Sequence, residues 1–257
     1  MSNGRLRTSR RAPIVDDMSA DAAPTPTRPE AAAASSRVDH PSTALLLSFV
    51  GGYVDTCGFI ALFGLFTAHV TGNFVLIGAA IAGQGGANVV AKLLALPVFV
   101  ATVMLARFLQ LGREQRGQET AVPMLLAQFA FLVAFMLAGA RLGPFERGDA
   151  PMVLVVGMIG VVTMAIQNTA ARSSFVRLSP STVMTGNVTQ VAMDLVDIAA
   201  NAPAGAPARA RVHKMWPPVA AFAAGALGGG LGYGAVGFWA LGLPCAALAI
   251  LLWRLRA

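Results

Sequence analysis

The sequence predicts an all-α integral membrane protein that crosses the bilayer several times. Apolar residues make up 56% of the 257 residues and charged residues only 12%, against roughly a quarter in ordinary soluble domains. The charges are also clustered, so the stretch 43–257 contains several runs of about twenty residues with one charge or none. As helices, such runs are long enough to cross a hydrocarbon core of about 30 Å.

Residues 1–42 differ in composition from the rest of the chain. They are rich in Ala, Pro, Ser, Thr and Arg, and they show no hydrophobic periodicity. This composition predicts a disordered cytoplasmic tail, followed by a polytopic membrane domain at 43–257. The Arg10-Arg11 pair could begin a twin-arginine signal, but no apolar core follows before Ala44. The tail is therefore expected to remain attached.

Eight apolar segments follow the tail. Six are predicted to be spans, and they lie at about 44–66, 89–111, 122–142, 152–172, 215–236 and 238–253. Two more lie at about 72–83 and 182–199. The apolar part of the first would be only about 16 Å long as a helix. The sequence therefore predicts about six transmembrane helices and two re-entrant or half-membrane helices.

A short motif that occurs twice divides the apolar region into two internal repeats, at about 44–142 and 152–253. The copies are Thr71-Gly72-Asn73 and Thr185-Gly186-Asn187. Each follows an apolar segment with polar residues near its middle, Asp55 in the first and Gln167-Asn168 in the second. Duplicated halves folded around a shared central site are typical of many secondary transporters.

The distribution of basic residues predicts the orientation of the repeats. With two re-entrant segments and six spans, ten Lys and Arg residues outside the tail fall on the inner side and three on the outer side. With eight crossings the numbers are eight and five. Because cytoplasmic loops carry an excess of Lys and Arg, six spans with both termini in the cytoplasm fit better. Three spans per half then give inverted repeats.

Asp55 is the only acidic residue within the six predicted spans. A carboxylate in that position costs several kcal/mol unless it is paired or hydrated, so such residues usually face a cavity or a proton relay. One hypothesis is that Asp55 titrates or binds a coupling cation. The alternative is a structural Asp, hydrogen-bonded to hydroxyl groups or to backbone that the neighbouring glycines leave free.

The side chains of the two motifs are candidates for contact with a ligand. Thr71, Asn73, Thr185 and Asn187 could cap the two short helices, whose positive dipole ends would then point toward the middle of the membrane. This arrangement suits an anionic or strongly dipolar ligand. The alternative is that each motif is only a capped and tightly packed helix start.

Three further polar residues accompany these motifs. Gln167 and Asn168 occupy the place in the second half that Asp55 occupies in the first, and they could complete a site or join helices by hydrogen bonds. His69 precedes the first motif and is a possible proton relay. Val183 stands at the matching position of the second copy, so such a relay would belong to one half only.

Glycines crowd the fifth predicted span between Gly225 and Gly237. Small residues at helical spacing let two membrane helices approach backbone to backbone. The fifth span is therefore predicted to pack closely on a neighbouring helix.

The sequence resembles a known family in two blocks. Gly51-Gly52-Tyr53-Val54-Asp55, followed by Phe66 to Asn73, is similar to the signature of the bacterial YoaK family, also called DUF1275 or UPF0700. Ile166-Gln167-Asn168 and Thr182 to Asn187 resemble its second block. The resemblance covers about 44–252 and implies a bacterial inner-membrane protein of about six spans. It implies no substrate.

These observations favour a secondary transporter or permease-like protein for a small solute that is anionic or dipolar, with proton or cation coupling as a further possibility. A non-transporting membrane subunit or scaffold is the alternative, and a lipid-modifying enzyme ranks last because no catalytic motif is present. We expect no cofactor and no metal. The expected partners are membrane lipids and the solute; a homo-oligomer stays open, and the scattered basic residues do not indicate nucleic acid.

Overall fold

The computed structural model describes residues 38–84, 88–203 and 205–256, and the regular structure in these ranges is helical throughout. The α-helices are α1 (Pro41–Ala61), α2 (Gly72–Ile81), α3 (Val89–Glu114), α4 (Ala121–Leu142), α5 (Pro151–Arg172), α6 (Met184–Ala199), α7 (Gly205–Val236) and α8 (Gly242–Arg256). A 3₁₀ turn, Gly237–Leu241, joins the last two. The predicted all-α class is confirmed. The predicted tail lies outside the described residues as far as residue 37.

Five stretches of the described chain are long and apolar enough to cross a membrane. They are α1, α3, α4, α5 and the stretch Pro207–Arg256, which contains most of α7 and all of α8. Helix α2 is apolar but has only 10 residues, about 15 Å of helix. Many large apolar side chains of α3 are exposed, as expected of a surface in contact with lipid. The chain is a multi-pass membrane protein.

Helix α1 begins and ends with local signals. The His40 side chain accepts a hydrogen bond from the Ser42 backbone N–H at 3.2 Å, and Pro41 occupies the first turn, where its missing N–H costs nothing. The helix ends at Ala61, five residues before the predicted boundary. The chain then turns through Phe63 (φ 56°) and Gly64 (φ 79°) into the linker that carries the first motif.

Two residues near the start of α3 hold this turn. Asn88 donates its side-chain amide to the Leu62 carbonyl at 2.9 Å, and the Lys92 ammonium donates to the Phe63 carbonyl at 2.9 Å. Lys92 is only 5% exposed. The charge count placed Lys92 among the three basic residues of the outer side, and the structure shows that it is a buried hydrogen-bond donor.

The helices pack in a pattern that is repeated when the two halves are exchanged. Helix α1 lies along α7, and correspondingly α5 lies along α3. Helix α4 packs on α5 as α8 packs on α1, and the short helices pack in the same sense, α2 on α3 and α6 on α7. The first helix of each half therefore packs against the third helix of the other half.

The contact between α1 and α7 is made by glycines. A Cβ atom at Gly225 would overlap the Phe49 carbonyl oxygen, and one at Gly52 would overlap the Phe222 carbonyl oxygen. Gly229 lies equally close to the Tyr53 backbone, and the Cys57 thiol donates to the Gly229 carbonyl at 3.3 Å. The prediction of backbone-to-backbone packing is confirmed, and α1 is the partner.

Helix α7 begins ten residues before the predicted fifth span. The helix runs without a break through Pro217 and Pro218. The earlier turns are held by Arg211, which binds Asp194 of α6 through both carboxylate oxygens, at 3.1 Å each from its Nε. Asp194 is fully buried. Asn187, Gln190, Asp194 and Asp197 have the spacing of one helix face, which predicts a solvated polar face. Asp194 instead belongs to a helix–helix contact with α7.

Candidate functional site

The linker between α1 and α2 is organised around Asp55. Its Oδ1 accepts hydrogen bonds from the backbone N–H of Thr67 and of Ala68, both at 2.7 Å, and from the Thr67 hydroxyl at 3.1 Å. Its Oδ2 lies 2.6 Å from Nδ1 of His69. Asp55 is 5% exposed. The carboxylate therefore fixes the linker on one side and holds an imidazole on the other.

The side chains of the motif asparagines form hydrogen bonds with the backbone of the linker seven residues earlier, and they do not cap the short helices. Asn73 exchanges two hydrogen bonds of 3.0 Å with the backbone of Phe66. Asn187 donates to the carbonyl of Pro180, also seven residues earlier, at 3.0 Å. Proline has no N–H, so the second half keeps only one of the two bonds. The helix starts at Thr71 and Val183 have no side-chain cap, so the capping interpretation was wrong.

Gln167 holds the second linker as Asp55 holds the first. Its Nε2 donates to the Ser181 hydroxyl at 3.1 Å and to the Leu47 carbonyl of α1 at 2.8 Å. Ser181 and Thr67 each stand four residues before the threonine of their motif. Gln128 of α4 donates to Oε1 of Gln167 at 2.7 Å. Gln128 was not among the predicted site residues, although an uncharged polar residue within a span was a signal that could have found it.

Asn168 and Thr182 form a second link within this half. The Thr182 hydroxyl donates to Oδ1 of Asn168 at 2.6 Å, while the Asn168 amide donates to the Met164 carbonyl at 2.9 Å. The linker that carries the second motif is therefore tied to α5 at two neighbouring positions.

His69 lies at the boundary between the two halves. One side of its ring contacts Asp55, and the backbone of Thr182, in the other half, lies near the ring. The ring also packs edge-on against Phe222 of α7, with centroids 5.7 Å apart. His69 belongs to the linker and to none of the five candidate spans, and its hydrogen bond with Asp55 raises its pKa.

A cavity of about 730 Å³ lies between the two motif linkers. Four of the predicted site residues line it: His69, Thr71, Asn168 and Thr185. The other four, Asp55, Asn73, Gln167 and Asn187, are buried and hold the linkers that form its wall. Both halves therefore meet at one cavity. In each half some of the predicted residues line the cavity, and others are buried behind it and hold the linker in place.

The charged residues of the cavity were not predicted. Arg107 and Glu114 of α3 pair with each other at 2.8 Å. Arg172, at the end of α5, also lines the cavity. A second cavity, of about 740 Å³, lies by Phe63, Asn88 and the loop before α5 and contains none of the predicted site residues. In the described ranges, no three His, Cys, Asp or Glu residues are grouped as a metal site would require.

Comparisons with known proteins assign the chain to a family. The model of a family described as "Protein of unknown function (DUF1275)" matches residues 43–253. The "UPF0700 transmembrane protein YoaK" of Bacillus subtilis (strain 168) is 32% identical over 150 residues, which cover 58% of this chain and 64% of that protein. No solved structure matches the chain. The family match includes both motif linkers and the helices that pack around them, and the chain belongs to the DUF1275 family.

Proposed function

We propose that the protein is a secondary transporter for a small solute, which binds in the cavity between the motif linkers. The observation that carries the proposal is that equivalent linkers from both halves meet at one cavity of about 730 Å³, within the size range of small-molecule sites. A charged residue of one half, Asp55, reaches this boundary through His69. Such a site can alternate its access when the two halves move against each other.

The same proposal includes six spans and inverted repeats. The stretch Pro207–Arg256 has 50 residues, about 75 Å of helix, which is enough for two crossings of a core of about 30 Å. Helix α2 is too short for one crossing, and α6 carries the buried Asp194, which pairs with the partly exposed Arg211 of α7. With α2 and α6 re-entrant, the two halves have opposite orientations. The repeated packing of the helices supports this arrangement, and the basic loops favour cytoplasmic termini in a bacterial inner membrane.

Labelling of single cysteines tests the orientation. Ala82 and Ala200 follow the two short helices and are exposed, and the native Cys57 and Cys245 are buried. In a background without the native cysteines, Ala82→Cys should react with an impermeant maleimide from outside intact cells. Ala200→Cys should react only after the inner membrane is opened. Reaction of both from the same side would establish parallel halves and contradict the inverted arrangement.

Proton coupling is proposed to occur at Asp55 and His69. Their short contact places a titrating ring between the two linkers, with a carboxylate on one side and the second half on the other. Gain or loss of one proton changes the hydrogen bonds that this ring can donate. Proton binding is thereby linked to the contact between the halves that line the cavity.

A transport assay tests the proposed function. The purified protein would be reconstituted in liposomes containing a pH-sensitive dye, and amino acids, organic anions, organic cations and sugars would be added in turn. We expect one class to change the internal pH beyond that of protein-free liposomes, and Asp55→Asn to abolish this change. Asp149→Asn is the matched control, because this acid lies in an exposed loop and its ion pair among the described residues is with Arg147. No response to any class would contradict transport.

A non-transporting scaffold is the second candidate. It is favoured by the internal hydrogen bonds of Asp55, Asn73, Gln167 and Asn187, which hold linkers whether or not a solute binds. A scaffold would show normal folding and no solute-dependent proton movement. An intramembrane enzyme ranks last, because the sequence has no catalytic motif and, in the described residues, no group of three potential metal ligands accompanies the Asp–His pair.

A further inference from the structure

We infer that the cavity between the motif linkers binds an organic anion, with its charged group at Arg172 and its apolar part against Phe99 and Val103. This inference rests on the proposed function and names the class of solute. The charge, the hydrogen-bond donors and the apolar wall of the cavity all suit such a ligand.

The cavity has an excess of positive charge. Three residues with a permanent charge line it, and two of them, Arg107 and Glu114, neutralise each other at 2.8 Å. Arg172 has neither a hydrogen bond nor an ion pair among the residues that the structure describes. A guanidinium group offers five donors in a planar fork that fits a carboxylate or a phosphate. The charge of the site is therefore complemented by an anion.

The uncharged polar groups are suited to the same ligand. The hydroxyls of Thr71 and Thr185 line the cavity and form no side-chain hydrogen bond in the described ranges. These residues stand at the starts of α2 and α6, whose amino-terminal ends carry a partial positive charge. The two helix starts therefore add to the attraction that Arg172 provides, although neither would define a site by itself.

The apolar wall distinguishes an organic anion from an inorganic ion. Phe99 and Val103 of α3 line the cavity, together with Val70, Val183 and Met184 of the two linkers. A volume of about 730 Å³ is also far larger than a phosphate or chloride ion needs, since water has a share of only about 30 Å³ in the liquid. A solute that fills the site would place apolar surface against this wall.

The test compares matched anions and neutral amides. The purified full-length protein would be heated with phenylacetate, hexanoate or succinate, with the amide of each, with phenethylamine and with inorganic phosphate. The dissociation constant follows from the dependence of Tm on probe concentration. At least one organic carboxylate should stabilise the protein, with its amide markedly weaker. Arg172→Gln should raise the dissociation constant about tenfold or more.

Two further variants separate charge from folding. Arg172→Lys keeps the charge and should lose less affinity than Arg172→Gln. Arg209→Gln removes an exposed arginine of α7 that lies outside the cavity, and it should leave binding unchanged. Because Arg172 is exposed and forms no bond within the described ranges, the Tm of the unliganded protein should be the same in all three variants.

The remaining outcomes overturn the inference in different ways. Equal binding of amides or amines, or an unchanged dissociation constant in Arg172→Gln, would overturn the assignment of an anion. Binding of phosphate without any carboxylate would overturn the organic part, and the absence of all binding would overturn both. If a cation or a sugar then moves protons in liposomes, transport stands and only the class of solute is wrong. If no class does so, the proposed function fails as well.

Discussion

Replacing Asp55 with alanine is expected to destabilise the protein severely, whereas asparagine at this position should preserve the fold and remove proton coupling. Alanine leaves two buried backbone donors, the N–H groups of Thr67 and Ala68, without the acceptor that they have at 2.7 Å. An unpaired buried donor costs about 1–3 kcal/mol, so about 2–6 kcal/mol would be lost. Thermal unfolding of the purified protein measures this loss as a large decrease in Tm.

Asparagine can keep the same acceptor. Its carbonyl oxygen can take the place of Oδ1, and its amide can donate to Nδ1 of His69 if the ring changes tautomer. The Asp55→Asn protein should therefore fold, with a Tm close to that of the wild type at pH values above the pKa of His69, and show no solute-dependent proton movement in liposomes. If Asp55→Asn transports with unchanged pH dependence, Asp55 has no role in coupling.

The pH dependence of stability gives an independent test of the same pair. Because the hydrogen bond with Asp55 raises the pKa of His69, the pair stabilises the fold fully below the unfolded pKa, about 6.5. This stabilisation is lost as the pH rises through the higher folded value. The difference in Tm between the wild type and Asp55→Asn should therefore shrink as the pH is raised from 6. A constant difference would contradict a titrating pair.

The duplicated motif made one part of the site predictable. Counting back from each motif placed Asp55 and Gln167 in equivalent positions, and both bind the residue four before the motif threonine, Thr67 or Ser181. Such equivalence can be seen in a sequence because duplicated halves keep the same local chain path. The equivalence of Asp55 and Gln167 was thus predictable, whereas their hydrogen bonds to Thr67 and Ser181 appear only in the structure.

Other parts of the site depend on contacts between distant segments. Arg172 looked like one of several topology signals, and its place in the cavity is fixed only by the packing of α3 on α5. Asp194 has the helical spacing of a polar face, yet Arg211 of α7 lies against it and it is buried. Asn73 and Asn187 bind the backbone of residues seven positions earlier. These bonds depend on the conformation of each linker, which the residues of the motif do not determine.

The glycine contact between α1 and α7 leads to the second prediction of large effect, in which Gly225→Ala should weaken the whole fold. The added Cβ would overlap the Phe49 carbonyl oxygen, and neither atom can rotate away because both belong to rigid helical backbone. The two helices would have to separate, and overpacking of this kind costs about 1–3 kcal/mol. For a chain of this size, Tm should fall by several degrees, on the order of 5 °C.

Gly234→Ala in the same helix is the matched control, because nothing lies within 4 Å of a Cβ atom there. Alanine favours helix over glycine by up to about 1 kcal/mol, so this variant should be neutral or slightly more stable. Gly52→Ala, which meets the Phe222 carbonyl from the opposite helix, should reproduce the loss seen for Gly225→Ala. Equal Tm values for Gly225→Ala and Gly234→Ala would show that α1 and α7 are not in backbone contact. Because van der Waals packing is a main source of helix association within lipid, that result would remove the principal link between the two halves.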